Sequence, residues 1–428
     1  MIRIEDLHKL FSQHTGVATD TRRLQPGDLF FCLKGPQHDG NAFAQQAVEA
    51  GASFVITDDP ENVIIPKTIL VDDVLTCLQN LAAYHRNLFR IPVIGITGTN
   101  GKTTTKELIT AVLSKKYKTV STTGNLNNHI GVPLTLLKLK ADTEFAIIEM
   151  GANHPGEIAE LCEIARPNAG IVTNVGKAHL EGFGHPEAII ETKTALYRSV
   201  GAKGPVFIYS RHLELRKKAK GIHYIIYGPG KGSACRGKIV KDQPTLSVAW
   251  GDHYEHKTGT HLAGSWNLEN ILAAACIGRH FGVDDTEIHE ALASYIPLNM
   301  RSQLIETGNN TVILDAYNAN PGSMEKALTY FFSLHHDHKW IILGDMLELG
   351  AYARDEHQHI IHFIESWPLE KIILVGPEFK KASRKTGVLC FDNVSALTTY
   401  LKEHPAKDKL ILLKGSRGIG LENVMEQL

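Results

Sequence analysis

Val93-Ile94-Gly95-Ile96-Thr97-Gly98-Thr99-Asn100-Gly101-Lys102-Thr103-Thr104 runs from an apolar strand through a glycine turn into a helix that carries Leu108, Ile109, Val112 and Leu113 on one face. Physics asks for that order at a phosphate site. Glycines let backbone N–H groups close round phosphate oxygens at the helix N-terminus, lysine balances the β/γ charge, and a threonine hydroxyl can hold Mg²⁺. The stretch is built for a nucleoside triphosphate, and it does not separate ATP from GTP. Its spacing departs from G-x-x-x-x-G-K-[ST], because Ile96 stands where the first glycine belongs and Gly98 follows two residues later. A chance glycine turn beside a lysine is the competing reading, and the strand-loop-helix context argues against it.

Outward from this loop the chain alternates strand and helix: a strand at 93–96, a helix from Thr103, a strand at 145–148, a helix from Pro155, and a strand at 171–173. Such alternation builds a parallel sheet covered by helices. Upstream, a helical stretch with apolar Leu78, Leu81, Ala82 and Leu88 ends before Arg90-Ile91-Pro92, where proline disfavours continued helix. Before it lies a small α/β unit, with a turn at Gln25-Pro26-Gly27-Asp28 entering the apolar run from Leu29 to Leu33. Downstream, the stretch from Gly201 to Thr260, with its glycine-rich turn at Gly228 to Gly232, reads as an insertion or β extension. After Tyr295-Ile296-Pro297 the rhythm restarts, with strands at 312–314, 340–343, 372–375 and 410–413.

The expected fold is therefore α/β with three domains: residues 1–88, a central P-loop-type parallel-sheet ATPase domain at 89–297, and a C-terminal Rossmann-like domain at 298–428. A chain of 428 residues suits that division at roughly 100–200 residues per domain. With 43% hydrophobic and 21% charged residues it has the composition of a globular protein. A net charge of -1 gives no broad attraction to nucleic acid or anionic membranes, so neither is expected as a partner. No apolar run reaches the length of a membrane span and the N-terminus has no h-region, so a cytoplasmic protein without membrane insertion is expected. Six cysteines scattered without a C-x-x-C pair argue against a zinc knuckle or disulfide framework.

Three further residues stand where a ligand crevice should open. Glu149 ends the apolar strand Phe145-Ala146-Ile147-Ile148, beside the phosphate loop at the sheet edge, and is a candidate Mg²⁺ ligand. His179 follows the strand at 171–173 in a glycine-punctuated loop from the same edge and could reach the metal, although among 22 histidines a surface or core role is the commoner one. Lys193 falls on the apolar stripe of Ile189, Ile190, Leu196 and Tyr197, in a helix opened by Pro186. Desolvation there favours the neutral amine, the form that reacts with carbon dioxide to give a carbamate. A snorkelling lysine with its head in water is the plainer alternative.

Taken together these residues resemble the Mur ligase family of ATP-dependent amide-forming enzymes, over nearly the whole chain. Gly98, Thr99, Asn100, Gly101, Lys102, Thr103 and Thr104 resemble its ATP loop. The resemblance implies catalytic Lys102, Glu149, His179 and Lys193, with Mg²⁺ held by Thr103, Glu149, His179 and Lys193 as its carbamate. It places Asn267, in Gly264-Ser265-Trp266-Asn267, near the adenine, and adds Arg301, Asp315 and Asn318 to the ATP contacts.

Within the family, four stretches are similar to those of the member acting on UDP-N-acetylmuramoyl-tripeptide and D-alanyl-D-alanine. They imply substrate contacts at Thr21 and Arg22, at Asn127 and Asn128, and at Lys414, Ser416 and Arg417, with the fourth stretch at Tyr317 to Pro321. A monomer is expected. Folylpolyglutamate synthetase resembles the same family but leaves the Thr21-Arg22 segment without a purpose. Outside ligase chemistry, a partner-stimulated nucleotide switch or motor ATPase lacks a clear strand-D Walker B and the N-K-x-D of a GTPase, and a nucleotide-sensing module has no need of Lys193 or His179.

Overall fold

The computed structural model describes residues 2–35, 38–64, 66–176, 180–383 and 388–428. Three α/β domains follow one another, each with its own mainly parallel sheet. In the first, parallel strands Val17–Ala18, Leu29–Phe31, Phe54–Thr57 and Thr68–Leu70 pair in chain order. The turn at Gln25 to Asp28 delivers Leu29, Phe30 and Phe31 into this sheet, where all three are buried.

Helix Val74–Asn87 then crosses to the central domain with Leu78, Leu81 and Ala82 on its buried face. It stops one residue earlier than its apolar pattern suggests. Leu88, expected on that stripe, follows the helix and is 56% exposed.

The central sheet is parallel throughout, in the order Tyr224–Tyr227, Val206–Tyr209, Ala169–Val172, Val93–Thr97, Phe145–Glu149, Thr119–Ser121. From Val93–Thr97 the chain runs to the edge strand Thr119–Ser121, fills in Phe145–Glu149 between them, and then switches to the other side. This reversal opens a crevice beyond the carboxyl ends of its strands.

Helix Lys102–Leu113 covers the sheet with Leu108, Ile109, Val112 and Leu113, all fully buried against Ile271 and Ala274 of helix Asn267–His280. Each such aliphatic side chain contributes about 1.5–3 kcal/mol. That burial holds the glycine loop's helix rigidly. The stretch expected as an insertion or β extension turns out to supply both kinds of strand. Val206–Tyr209 and Tyr224–Tyr227 lengthen the parallel sheet, while Gly237–Lys241, Ser247–Trp250 and His256–Gly259 form a separate antiparallel one.

The third domain has six strands in the order Gln303–Glu306, Thr311–Asp315, Leu410–Lys414, Lys339–Gly344, Lys371–Val375, Leu389–Phe391, with the first antiparallel and the rest parallel. The apolar runs of its middle strands are buried on both faces, as a helix-covered parallel sheet requires. Its register sets Asp315 directly beside Lys414 at the carboxyl end. Among the described residues no helix is long and apolar enough to cross a membrane.

Candidate active site

Two glycines shape the loop from Gly98 to Thr104. At Gly98, φ is +147° and a Cβ would come within 1.9 Å of Thr173 Oγ1; at Gly101, φ is +78° and a Cβ would meet Asn270 Oδ1 at 2.8 Å. The end of the neighbouring strand braces the loop from below. Thr173 Oγ1 and Asn174 Nδ2 donate to the Asn100 carbonyl at 2.7 and 2.9 Å, while Asn174 Oδ1 accepts from the Asn100 N–H at 2.9 Å. Lys102 Nζ donates to the carbonyls of Gly98 at 2.8 Å and Thr99 at 3.1 Å. Burial, and then the charge of Arg301, lowers its pKa.

Thr103 Oγ1 donates to Glu149 Oε1 at 3.2 Å, and Asn127 Nδ2 donates to the same oxygen at 2.8 Å. Glu149 is 1% exposed, and its Oε2 is buried with no hydrogen-bond partner among the described residues. Such an oxygen is costly unless paired, and beside a threonine hydroxyl it suits a hard, oxygen-seeking divalent cation. Thr103 and Glu149 thus fit the Mg²⁺ expected of them. His179 lies outside the described residues. Lys193, 2% exposed on helix Pro186–Val200, sets Nζ 5.9 Å from the centroid of the Phe183 ring. Burial chiefly, with the charge of Lys102, pushes its pKa down to about 7. It does not line the cavity beside the loop.

That cavity, about 480 Å³, lies between the loop and the third domain. It brings together Thr99, Asn100, Gly101, Lys102, Thr103, Thr104, Asn127, Asn128, Glu149, Asn267, Arg301, Asp315, Asn318 and Lys414. Asn267 is tied by Nδ2 to the Ala263 carbonyl at 2.7 Å, and its Oδ1 accepts from Asn270 at 2.8 Å. Asn128 Oδ1 accepts from Gly131 N at 2.9 Å, at the start of helix Gly131–Leu136. Arg301 stacks on Tyr317, 3.8 Å from its ring centroid. Lys414, buried, pairs with Asp315 at 2.6 Å.

Other expected contacts lie elsewhere. Gly98 forms the base of the loop. Ser416 is buried, its Oγ accepting from Leu347 N at 2.9 Å. Arg417 is exposed near Tyr317. Thr21 and Arg22 stand in the first domain, where Arg22 pairs with Asp20 at 2.7 Å and holds its carboxyl down at about 2.

Residue patterns missed several lining groups: Asn174, Glu269, Asn270, Tyr317, Asn320 and Lys326. Asn174, Asn270, Tyr317 and Asn320 lie in or directly beside the motifs read above, and Lys326 lies outside them. Glu269 stands two residues past Asn267, in the same adenine-side segment, where it reads as an ordinary helical acid. Its Oε1 lies 3.5 Å from His212 Nδ1, and burial pushes Glu269 up to about 8 and His212 down to about 4, so burial favours the neutral form of each.

Models of the Mur ligase family match three consecutive segments of the chain: the catalytic domain at 13–94, the middle domain at 96–278 and the glutamate ligase domain at 300–417. A UDP-N-acetylmuramoyl-tripeptide--D-alanyl-D-alanine ligase from Bacillus subtilis is 36% identical, covering 96% of this chain and 93% of that protein. The chain belongs to the Mur ligase family. Solved structures agree with this Mur ligase over more than nine-tenths of their length. A MurF crystal structure from Acinetobacter baumannii superposes with a TM-score of 0.85 at 30% identity, covering 96% of this chain and 92% of that one. MurF from Thermotoga maritima in complex with ADP gives 0.84 at 27% identity, covering 96% of each.

Proposed function

We propose that this Mur ligase joins D-alanyl-D-alanine to UDP-N-acetylmuramoyl-tripeptide, consuming ATP, in the assembly of peptidoglycan precursors. One observation carries this reading on the structural side. A phosphate loop, a buried carboxylate with an unpaired oxygen and a set of third-domain side chains share one cavity. The relatives named for that reaction, similar along 96% of the chain, supply the substrates.

In this reading the loop amides and Lys102 orient the γ-phosphate, and Arg301 steadies the phosphates from the third domain. Asn267 and Glu269 face the base end, while Asn127 and Asn128 face the peptide end. Thr103, Glu149, His179 and carbamylated Lys193 would hold Mg²⁺, which when bound neutralises phosphate and carboxylate charge. The tripeptide carboxylate attacks the γ-phosphorus, releasing ADP and leaving an acyl phosphate. The dipeptide amine then attacks that carbonyl, loses its proton, and the tetrahedral intermediate collapses to amide and inorganic phosphate. Exclusion of water protects the acyl phosphate from hydrolysis.

Residues 1–88 would bind the UDP moiety through Thr21 and Arg22; 89–297 would hold ATP; 298–428 would bring Lys414, Ser416 and Arg417 toward the dipeptide. The enzyme would work in the cytoplasm as a monomer. Phosphate release with ATP, Mg²⁺ and UDP-N-acetylmuramoyl-tripeptide, measured with and without D-alanyl-D-alanine, tests the central claim. Dependence on both substrates, with a product heavier by one dipeptide less water, supports it. Acceptance of a single amino acid on a shorter UDP-peptide, or of glutamate on a folate, would overturn it.

A further inference from the structure

Glu107 lies on the phosphate-loop helix, five residues beyond Lys102 and outside the cavity lining. Its two oxygens are both engaged by the segment that leads into the third domain: Tyr295 Oη donates to Oε2 at 2.5 Å and Asn299 Nδ2 donates to Oε1 at 2.9 Å. Lys106 stands 3.6 Å from Oε1, so the carboxylate keeps a cation beside it as well.

Immediately past Asn299 the backbone is strained. Met300 and Ser302 both adopt positive φ, at 55° and 51°. Non-glycine residues enter that region sparsely, and they stay there when their surroundings over-determine them. Here the far side is fixed by Asp315 Oδ1, which accepts from Ser302 N at 3.1 Å, and by the Met300 carbonyl, which accepts from Tyr317 N at 3.2 Å. Between the two strained residues stands Arg301, stacked on Tyr317 and lining the cavity, with its Nε buried and without a partner among the described residues. Third-domain groups hold one side of this segment. On the other side the anchor is Glu107, which shares its helix with Lys102 and Thr103.

We propose that Glu107 is a positioning residue for Arg301: by holding Tyr295 and Asn299 it fixes where the guanidinium stands relative to the phosphate loop, so that nucleotide affinity depends on a carboxylate that never touches the nucleotide. The inference rests on the cavity being an ATP site. A carboxylate that served helix packing alone would have the same hydrogen bonds, so the test must separate the two.

Equilibrium binding of a non-hydrolysable ATP analogue with Mg²⁺ to the full-length protein makes that separation, using Glu107→Ala, Arg301→Ala and the double variant. Residues that act through one another give non-additive effects. Glu107→Ala is expected to weaken binding roughly 10-fold, and the double variant to bind no worse than Arg301→Ala within about twofold. Tyr295→Phe, which removes one hydroxyl, should weaken binding less and in the same direction, and its effect should also vanish in the Arg301→Ala background; it decides the matter if Glu107→Ala does not fold. Effects that multiply, or a Glu107→Ala protein that melts earlier yet binds like wild type, would overturn the proposal. Absence of analogue binding by the wild-type protein would instead overturn the ATP-site reading on which it rests.

Discussion

The Asn320 side-chain amide donates to Asn100 Oδ1 at 2.8 Å, tying the cap of the third domain's first helix to the middle of the phosphate loop. The same side chain caps helix Pro321–Ser333, its Oδ1 accepting from Ser323 N at 2.9 Å. Asn320→Asp keeps the capping acceptor, loses the donor, and sets a carboxylate against Asn100 Oδ1 and the incoming phosphates. Its melting temperature should stay close to wild type while KM for ATP rises about 10-fold. Asn320→Ala also loses the cap, at about 1 kcal/mol. Calorimetry alongside ATP kinetics separates the two roles, and a destabilised Asn320→Asp with unchanged KM would contradict this assignment.

Glu149 offers a second test, because its structural and chemical roles carry opposite signs. A buried carboxylate with an oxygen unpaired among the described residues is a burden on folding, and a neutral isostere at such a site is often neutral or stabilising. Glu149→Gln should therefore fold at least as stably as wild type. It should nevertheless lose roughly 100-fold or more in turnover and need far more Mg²⁺ for half-maximal rate, since metal-assisted charge neutralisation supplies several kcal/mol. A Mg²⁺ titration of ATP turnover checks both, and an unchanged Mg²⁺ dependence would remove Glu149 from the cation site.

The phosphate loop was legible because its requirements are local. Glycine, lysine and threonine at fixed offsets between a strand and a helix describe the site within twelve residues. What was not legible depends on register and on long-range pairing. Lys414 reads in the sequence as a basic group free to meet a substrate, yet the pairing of Thr311–Asp315 with Leu410–Lys414 buries it beside Asp315, 99 residues away. Glu107 meets Tyr295 and Asn299 across 188 and 192 residues, which no periodicity announces. Strands Val206–Tyr209 and Tyr224–Tyr227 were hidden by the glycine turns around them. Their short apolar runs gave no sign that they extend the parallel sheet rather than leave it.

His357 should make the third domain sensitive to acid. Both ring nitrogens are in use: Nε2 accepts from Met346 N at 3.0 Å, and Nδ1 donates to the Ala353 carbonyl at 2.6 Å, which requires the neutral imidazole. Burial lowers its pKa from the ordinary 6.5. Below that value the unfolded chain binds a proton that the folded one refuses, so stability falls as pH drops from about 6.5 toward the folded pKa. Asp345, 3.6 Å away, is pushed up from 3.8 by burial; folded chains then bind the extra proton, and stability falls as pH rises through its own window, which begins near 3.8. Melting curves of wild type and His357→Gln between pH 5 and 7 separate the histidine, since the variant should lose the slope of up to about 1.4 kcal/mol per pH unit. Parallel profiles would mean that His357 does not titrate there.

Lys193 sets stability against activity. Burial pushes its amine down to about 7 from the usual 10.5, so between those values the unfolded chain binds a proton that the folded chain has given up. Stability therefore rises with pH across that window, and the deficit is complete below about 7. Lys193→Met removes the buried amine and should melt higher than wild type, most clearly at or below pH 7, with the gap closing toward pH 10. Under the proposed carbamate role turnover should meanwhile collapse, because the neutral amine at and above pH 7 is the form that would take up carbon dioxide. Native mass spectrometry should find a gain of one CO₂ in wild type and none in Lys193→Met. Depleting bicarbonate should slow wild type, and added acetate should partly restore Lys193→Ala by supplying a carboxylate in place of the carbamate. Full wild-type activity in CO₂-free buffer, with no such mass gain, would leave Lys193 an ordinary buried amine and hand its charge-neutralising role back to Lys102.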